Sequence, residues 1–272
     1  MRSAAFVLGA LGLCCLARGW AHADSLASGG PSGAFRLEPD WVTGTGQTTD
    51  LRWLPDGRVV IINRTGRVFV RPAAGGALID AGSITVNSGT EEQGLLGVAV
   101  HPDFASNREL VFYYSATDGN GGSAANRHRV VKRRLSAASM LEPGETVLID
   151  KLRGPLNHNG GALEVGADGL LYIGVGDTGC NSDLEPETLY TPTNYYGTCL
   201  SDDATGNGAA NGKILRIALD GTIPATNPLV GATNVTRCGA SCGVNPSTAG
   251  LGMPREAIWA WGFRNPWRIW FD

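Results

Sequence analysis

The chain repeats one short pattern three times: an apolar stretch, a tight turn that contains aspartate, and a second apolar stretch. The turns lie at residues 54–57, 101–104 and 166–169, and their aspartates are 47 and 65 residues apart. Asp and Gly favour tight turns, because Gly tolerates positive φ and Asp can bond its own backbone. Each copy therefore predicts two strands joined by a turn, and the spacing resembles a propeller blade of four strands and its loops.

The composition of the chain also indicates an all-β protein. Glycine accounts for 39 of the 272 residues, about twice its usual share, and long amphipathic helical patterns are missing. A fourth copy of the repeat begins at residues 267–272, where the sequence ends at the turn itself. Because a closed propeller leaves no open sheet edge, we expect about four blades of a propeller that is truncated at its C-terminus.

The first 23 residues have the pattern of a secretory signal peptide. Met1-Arg2 precedes an apolar run over residues 4–17, and a small-x-small cleavage site follows at residues 21–23. The run is shorter than the ~20 apolar residues that span a bilayer, and no later segment resembles a membrane span. Cleavage would leave residues 24–40 as a leader with the first strand, and we expect the protein in the periplasm or the medium.

The charge of the chain argues against a nucleic-acid partner. The formal net charge is −3, whereas nucleic-acid binding needs a concentrated basic face. One basic run lies at residues 127–134, and we interpret it as a solvated strand and loop.

Four cysteines remain after cleavage, and an even number in an exported chain predicts disulfides. Proximity favours the pairs Cys180–Cys199 and Cys238–Cys242, while the two other connectivities stay open. A zinc site is the alternative, for which Cys-x3-Cys without a second pair or a histidine is a weak signal.

Residues 174–179 match the motif Gly-x-Gly-x-x-Gly and follow a predicted strand. Dinucleotide binding requires a helix directly after such a motif. Residues 180–186 instead have the sequence of a loop, so the motif does not predict a nicotinamide cofactor.

His158 is the histidine whose surroundings favour chemistry. It stands in a polar, glycine-rich segment, residues 155–161, just before a predicted strand. Loops that enter the innermost strands of a propeller open onto its central channel, where ligands bind. The residues alone leave open whether His158 is functional or bonds a turn. His101 lies in a repeated Pro-Asp turn and is predicted to be structural.

Five motifs then occur in an order and with a spacing that match one family. They are residues 91–97 with 101–104, 158–161, 172–177, 212–221 and 262–266. The chain resembles the soluble pyrroloquinoline-quinone-dependent glucose, sorbosone and aldose sugar dehydrogenases over roughly residues 41–272. The resemblance implies a six-bladed β-propeller that holds the quinone in its axial channel, with residues 41–272 as an incomplete N-terminal portion.

The resemblance also implies roles for five residues. His158 matches the general base that takes the hydroxyl proton of the sugar, while the hydride goes to the quinone. Arg264 and Asn265 match a pair that touches quinone and substrate, and a guanidinium can stabilise charge on the quinone. Asp177 matches a polar residue that orients His158 or Arg264. Glu92 stands at a cofactor-binding position where many members have Gln, so it changes the charge beside the histidine.

The implied cofactors are pyrroloquinoline quinone and calcium, with the calcium ligands and further quinone ligands expected beyond Asp272. A chain without them is expected to be inactive alone. The implied substrate is an aldose, oxidised to its lactone, and the electron acceptor is undetermined. The alternatives are a secreted binding module similar to Hedgehog-interacting proteins and a calcium-dependent lactonase. The joint presence of His158, Arg264 and Asn265 favours the dehydrogenase.

Overall fold

The computed structural model describes residues 41–89, 92–117, 127–153, 157–177, 210–232 and 255–272. The predicted signal peptide, residues 24–40 and all four predicted disulfide cysteines lie outside the described residues. The chain divides into two compact units at Gly44. Of the first unit only residues 41–44 are described, and they form bends; the fold and the site below belong to residues 45–272.

The described residues of this second unit form twelve strands in three antiparallel sheets of four, and each sheet is built from consecutive strands. The first sheet comprises β1 (Thr48–Trp53), β2 (Val59–Asn63), β3 (Arg67–Arg71) and β4 (Ile79–Ser83). The second comprises β5 (Leu95–Val100), β6 (Glu109–Ala116), β7 (Arg127–Arg134) and β8 (Thr146–Arg153). The third comprises β9 (Leu163–Val165), β10 (Leu171–Val175), β11 (Lys213–Ile217) and β12 (Ile258–Trp261). A single helical turn, α1 (Phe104–Asn107), and a 3-10 turn (Arg255–Ala257) complete the described elements.

The three repeated turns occupy the predicted positions. Residues 54–57 join β1 to β2, and residues 166–169 join β9 to β10; in both turns the last glycine amide donates to the first carbonyl over 2.9 Å. The turn at residues 101–104 leads through α1 from β5 to β6. The first strand of the middle sheet, β5, packs against the first strands of the other two sheets, β1 and β9. Four-stranded sheets that meet through their first strands are the blades of a β-propeller, which confirms the predicted fold class.

Two apolar cores lie between adjacent sheets, and β6 contributes to both of them. Val111 and Tyr113 belong to the core shared by the second and third sheets, whereas Leu110 and Phe112 belong to the core shared by the first and second. Successive residues of a strand point to opposite faces, so both faces of the middle sheet are covered. Strands buried on both faces explain the continuous apolar runs in the sequence.

Two predictions about local structure need correction or qualification. The basic run forms β7, but His128, Val130 and Val131 within it are fully buried, so it is not a solvated segment. The predicted fourth copy at residues 267–272 passes through no strand. The carbonyl of Pro266 nevertheless accepts a 3.4 Å bond from the amide of Ala162, which places this segment beside the entrance to β9.

No helix in the described parts of the chain is long and apolar enough to cross a bilayer.

Candidate functional site

Three loop segments of the third sheet meet at one end of it. The first precedes β9 and contains His158, the second follows β10 and contains Asp177, and the third follows β12 and contains Asn265. The amide of Asp177 donates to the carbonyl of Arg264 over 2.8 Å. The amide of Gly160 donates to Oδ1 of Asn265 over 2.9 Å. These bonds tie residues that are up to 105 positions apart into one site.

The glycines of the Gly-x-Gly motif allow this close approach. A Cβ atom at residue 176 would lie 1.8 Å from the carbonyl oxygen of His158, and one at residue 174 would lie 2.1 Å from that of Pro266. Neither position has room for a side chain. The two glycines therefore allow the loops of the candidate site to pack closely together. This role differs from the phosphate binding that a Gly-x-Gly motif has in dinucleotide-binding proteins.

His158 and Asp177 form the chemical centre of the site. Nδ1 of His158 lies 2.7 Å from Oδ1 of Asp177, and the two side chains are only 4% and 2% exposed. A carboxylate can only accept here, so Nδ1 carries the donated proton and the lone pair of the neutral ring is on Nε2. A buried imidazole held in this tautomer can act as a general base through Nε2.

Glu92 contacts the same histidine, but through the backbone. Its carboxylate oxygen Oε2 accepts a hydrogen bond from the amide of His158. The backbone of His158 has a φ of +51°, a left-handed conformation that is uncommon for residues other than glycine. The bond from Glu92 holds this conformation in place. The amide oxygen of a glutamine could accept the same bond, which explains why Glu can stand where many members of the family have Gln.

Arg264 and Asn265 complete the set of residues that the sequence predicted. The side chain of Arg264 is exposed, while its carbonyl holds the amide of Asp177. An exposed arginine whose backbone binds Asp177 could pair with a ligand that carries carboxylates, as pyrroloquinoline quinone does. The described residues contain no cluster of three His, Cys, Asp or Glu side chains that could hold a metal.

Sequence reasoning missed a buried polar network under the His158 loop. Nε2 of His128 lies 2.9 Å from Oδ1 of Asn159, and its Nδ1 lies 3.2 Å from Oγ of Ser115. The hydroxyl of Tyr113 donates to the carbonyl of Asn159 over 2.8 Å. Burial lowers the pKa of His128 to about 4, so this ring is neutral at physiological pH. The sequence did carry a signal that His128 is buried, because this residue alternates with the apolar Val130 on one face of the strand.

Comparisons with known proteins agree with the fold and with the motifs. The family model described as "Glucose / Sorbosone dehydrogenase" matches residues 46–272. Quinoprotein glucose dehydrogenase B of Acinetobacter calcoaceticus is 31% identical over 190 residues, which are 65% of this chain and 38% of that protein. An uncharacterized protein of Synechocystis is also 31% identical, over a stretch that covers 65% of this chain and 42% of the Synechocystis protein. The chain thus spans less than half the length of these curated relatives.

Solved structures of sugar dehydrogenases show the same fold. The soluble aldose sugar dehydrogenase of Escherichia coli, in its apo form, superposes with a TM-score of 0.55 at 25% identity, over 81% of this chain and 52% of that one. The PQQ-bound aldose sugar dehydrogenase of Streptomyces coelicolor superposes with a TM-score of 0.54 at 24% identity, over 69% and 49% of the two chains. With the family model covering most of its length, the chain belongs to the glucose/sorbosone dehydrogenase family.

Proposed function

We propose that the protein is a quinone-dependent dehydrogenase that oxidises an aldose at its anomeric carbon to the lactone. The observation that carries this proposal is the buried hydrogen bond of 2.7 Å between His158 and Asp177, because it prepares an imidazole to accept a proton. Membership of the family and the quinoprotein relative from Acinetobacter support it.

The proton chemistry falls to the two buried side chains. Nε2 of His158 takes the proton of the anomeric hydroxyl as the carbon–hydrogen bond breaks. The carboxylate of Asp177 stabilises the positive charge that forms on the ring and keeps the ring in one orientation. Because both side chains are almost fully buried, little water competes for these interactions, and their electrostatic effect is strengthened.

A bound pyrroloquinoline quinone would supply the two-electron acceptor for the hydride from the same carbon. We propose that Arg264 and Asn265 hold it: the guanidinium can pair with its carboxylates, and the amide can donate to a carbonyl. Glu92 contributes to the cofactor site by fixing the backbone of His158.

The N-terminal pattern leads us to propose export. Residues 1–23 would be removed as a signal peptide, and residues 41–272 would form the propeller portion of a periplasmic or secreted protein. In that compartment we expect no free thiol among the four remaining cysteines. N-terminal sequencing of protein from the periplasm or the medium is expected to begin at Asp24, and thiol labelling of the unreduced, denatured protein is expected to fail.

The activity is tested on the full-length protein supplied with pyrroloquinoline quinone and calcium. A panel of aldoses and an artificial electron acceptor measure turnover, and chromatography identifies the lactone. His158→Ala is expected to lower turnover at least ~100-fold. The matched control is His101→Gln, because Nδ1 of His101 only accepts bonds within a turn, from Asp103 and Asn107. Near-normal turnover of His158→Ala, or no oxidation of any aldose by the wild type, contradicts the proposal.

A further inference from the structure

Lys213 is a fully buried lysine next to the candidate site. It begins β11 and lies opposite Val175 of β10, two residues before Asp177. Its Nζ donates to the carbonyl of Asn211 over 2.7 Å. An ammonium group removed from water is costly unless its charge is balanced, so a fully buried lysine at this position calls for a physical explanation.

The surroundings of Lys213 connect it to the turn that carries Asp177. Nδ2 of Asn211, the residue whose carbonyl binds Lys213, donates to the carbonyl of Gly176 over 3.1 Å. The negative charge of Asp177 acts on Lys213 and favours its charged form. We refer to Lys213, Asp177 and His158 as the buried series. In it, the carboxylate of Asp177 interacts both with the ammonium of Lys213 and with the imidazole of His158.

We infer that Lys213 is a positioning residue of the proposed reaction: its ammonium balances the carboxylate of Asp177 and so favours the neutral, proton-accepting form of His158. The inference rests on the proposed function. Lys213 acts through Asp177 and needs no contact with substrate or quinone.

Simple charge balance gives the direction of the effect. With Lys213 charged, Asp177 ionised and His158 neutral, the buried series carries no net charge. Protonation of His158 adds one positive charge at low dielectric, which the nearby ammonium opposes. Without the ammonium, the carboxylate would bind a protonated imidazole as an ion pair. His158 would then stay protonated, and unable to accept a proton from the substrate, up to a higher pH.

The electrostatics of Lys213 itself agree with this role. Burial lowers its pKa to about 7, although the charge of Asp177 works in the opposite direction. The charged groups that bear on the series are Asp177 from the end of β10, His158 from the loop before β9, and two groups outside the series. These two are Glu92, whose carboxylate accepts the amide of His158, and Arg264 after β12, whose side chain is exposed. The interaction with Asp177 therefore favours the ammonium form on which the charge balance depends.

The test measures the pKa of His158 by NMR of the ring carbons, in the full-length protein without quinone. Lys213→Met, which keeps an unbranched side chain of nearly the same length but not its charge, is expected to raise this pKa by ~1 pH unit. The acid limb of the pH profile of kcat/KM, measured on the holoenzyme, is likewise expected to move to higher pH. The control is Lys132→Met, since Lys132 pairs with Glu109 on the second sheet over 3.0 Å, and it is expected to leave both values unchanged.

A purely structural role for Lys213 would lower turnover equally at every pH and leave the pKa of His158 unchanged, and that result overturns the inference. If Lys213→Met does not fold, the side-chain carbon resonance next to Nζ of Lys213 is followed in the wild type. It is expected to show an inflection at the pKa of His158 in addition to that of Lys213 itself, and a titration curve without this second inflection overturns the inference. If the wild type oxidises no aldose, the proposed function fails, while the two titrations still decide whether Lys213 controls His158.

Discussion

His128 and Asn159 share a buried hydrogen bond of 2.9 Å that joins Nε2 of the imidazole to Oδ1 of the amide. Asn159 directly follows His158, so the bond fixes the loop that carries the proposed base. On its other side His128 contacts Ser115, whose Oγ accepts a bond of 3.1 Å from the amide of Gly94. The same network therefore supports both loops, the one with His158 and the one with Glu92.

Burial of His128 predicts that the protein loses stability in weak acid. Its pKa is about 4 in the folded state, chiefly because burial disfavours the charged ring, and ~6.5 in the unfolded chain. Between these values the unfolded state binds more protons. Stability is therefore fully present above pH 6.5 and is lost as the pH falls towards 4, by about 3 kcal/mol in all.

Urea unfolding of His128→Gln and of the wild type, at several pH values between 7.5 and 4, measures this contribution. The variant is expected to start from a lower stability and to show a shallower decline with falling pH. Ser115→Ala is the control, because it removes a hydrogen-bond partner but keeps the titrating ring. An equally steep decline in His128→Gln would contradict the assignment.

The substitution Asp177→Asn tests the tautomer of His158. An asparagine can donate to Nδ1, which would move the ring proton to Nε2 and occupy the nitrogen that has to accept the sugar proton. We expect kcat to fall ~100- to 10,000-fold with a smaller change in KM. Asp150→Asn is the control, since Asp150 of β8 pairs with Arg129 of β7 over 2.7 Å, where both side chains are partly exposed. A variant Asp177→Asn with near-normal kcat would remove Asp177 from the mechanism.

Gly176→Ala tests the packing of the site. The added methyl group would lie 1.8 Å from the carbonyl oxygen of His158 and 3.1 Å from Oδ1 of Asn265, which leaves it no space. We expect a loss of about 3 kcal/mol or more in the free energy of unfolding, together with loss of turnover. Gly89→Ala, where the nearest atom is a side-chain oxygen of Asn87 at 3.2 Å, is expected to cost much less. Equal stabilities in urea would refute the close approach.

The fold and the segments that meet at the candidate site could be predicted because their signals are local. Each repeat carries its own turn, and the motifs of His158 and of Arg264 with Asn265 are short continuous stretches. The supporting residues could not be predicted, because their roles depend on contacts across the fold. Tyr113 meets Asn159 across 46 positions, and Lys213 stands before an apolar run, where a lysine normally marks an exposed strand end. Its burial follows only from the placement of β11 between β10 and β12.

Arg264 offers a test of the quinone site that does not depend on turnover. Its carbonyl, which holds the amide of Asp177, is unchanged by substitution, so the loop is expected to keep its conformation. Arg264→Ala removes the exposed guanidinium and is expected to weaken quinone binding ~10-fold or more, whereas Arg264→Lys is expected to restore it in part, since lysine cannot form a bidentate bond. Arg67→Ala, which breaks a pair with Asp80 on the first sheet, is the control. The measurement is quinone absorbance retained after desalting the full-length protein, and equal retention by Arg264→Ala and the wild type would place the quinone elsewhere.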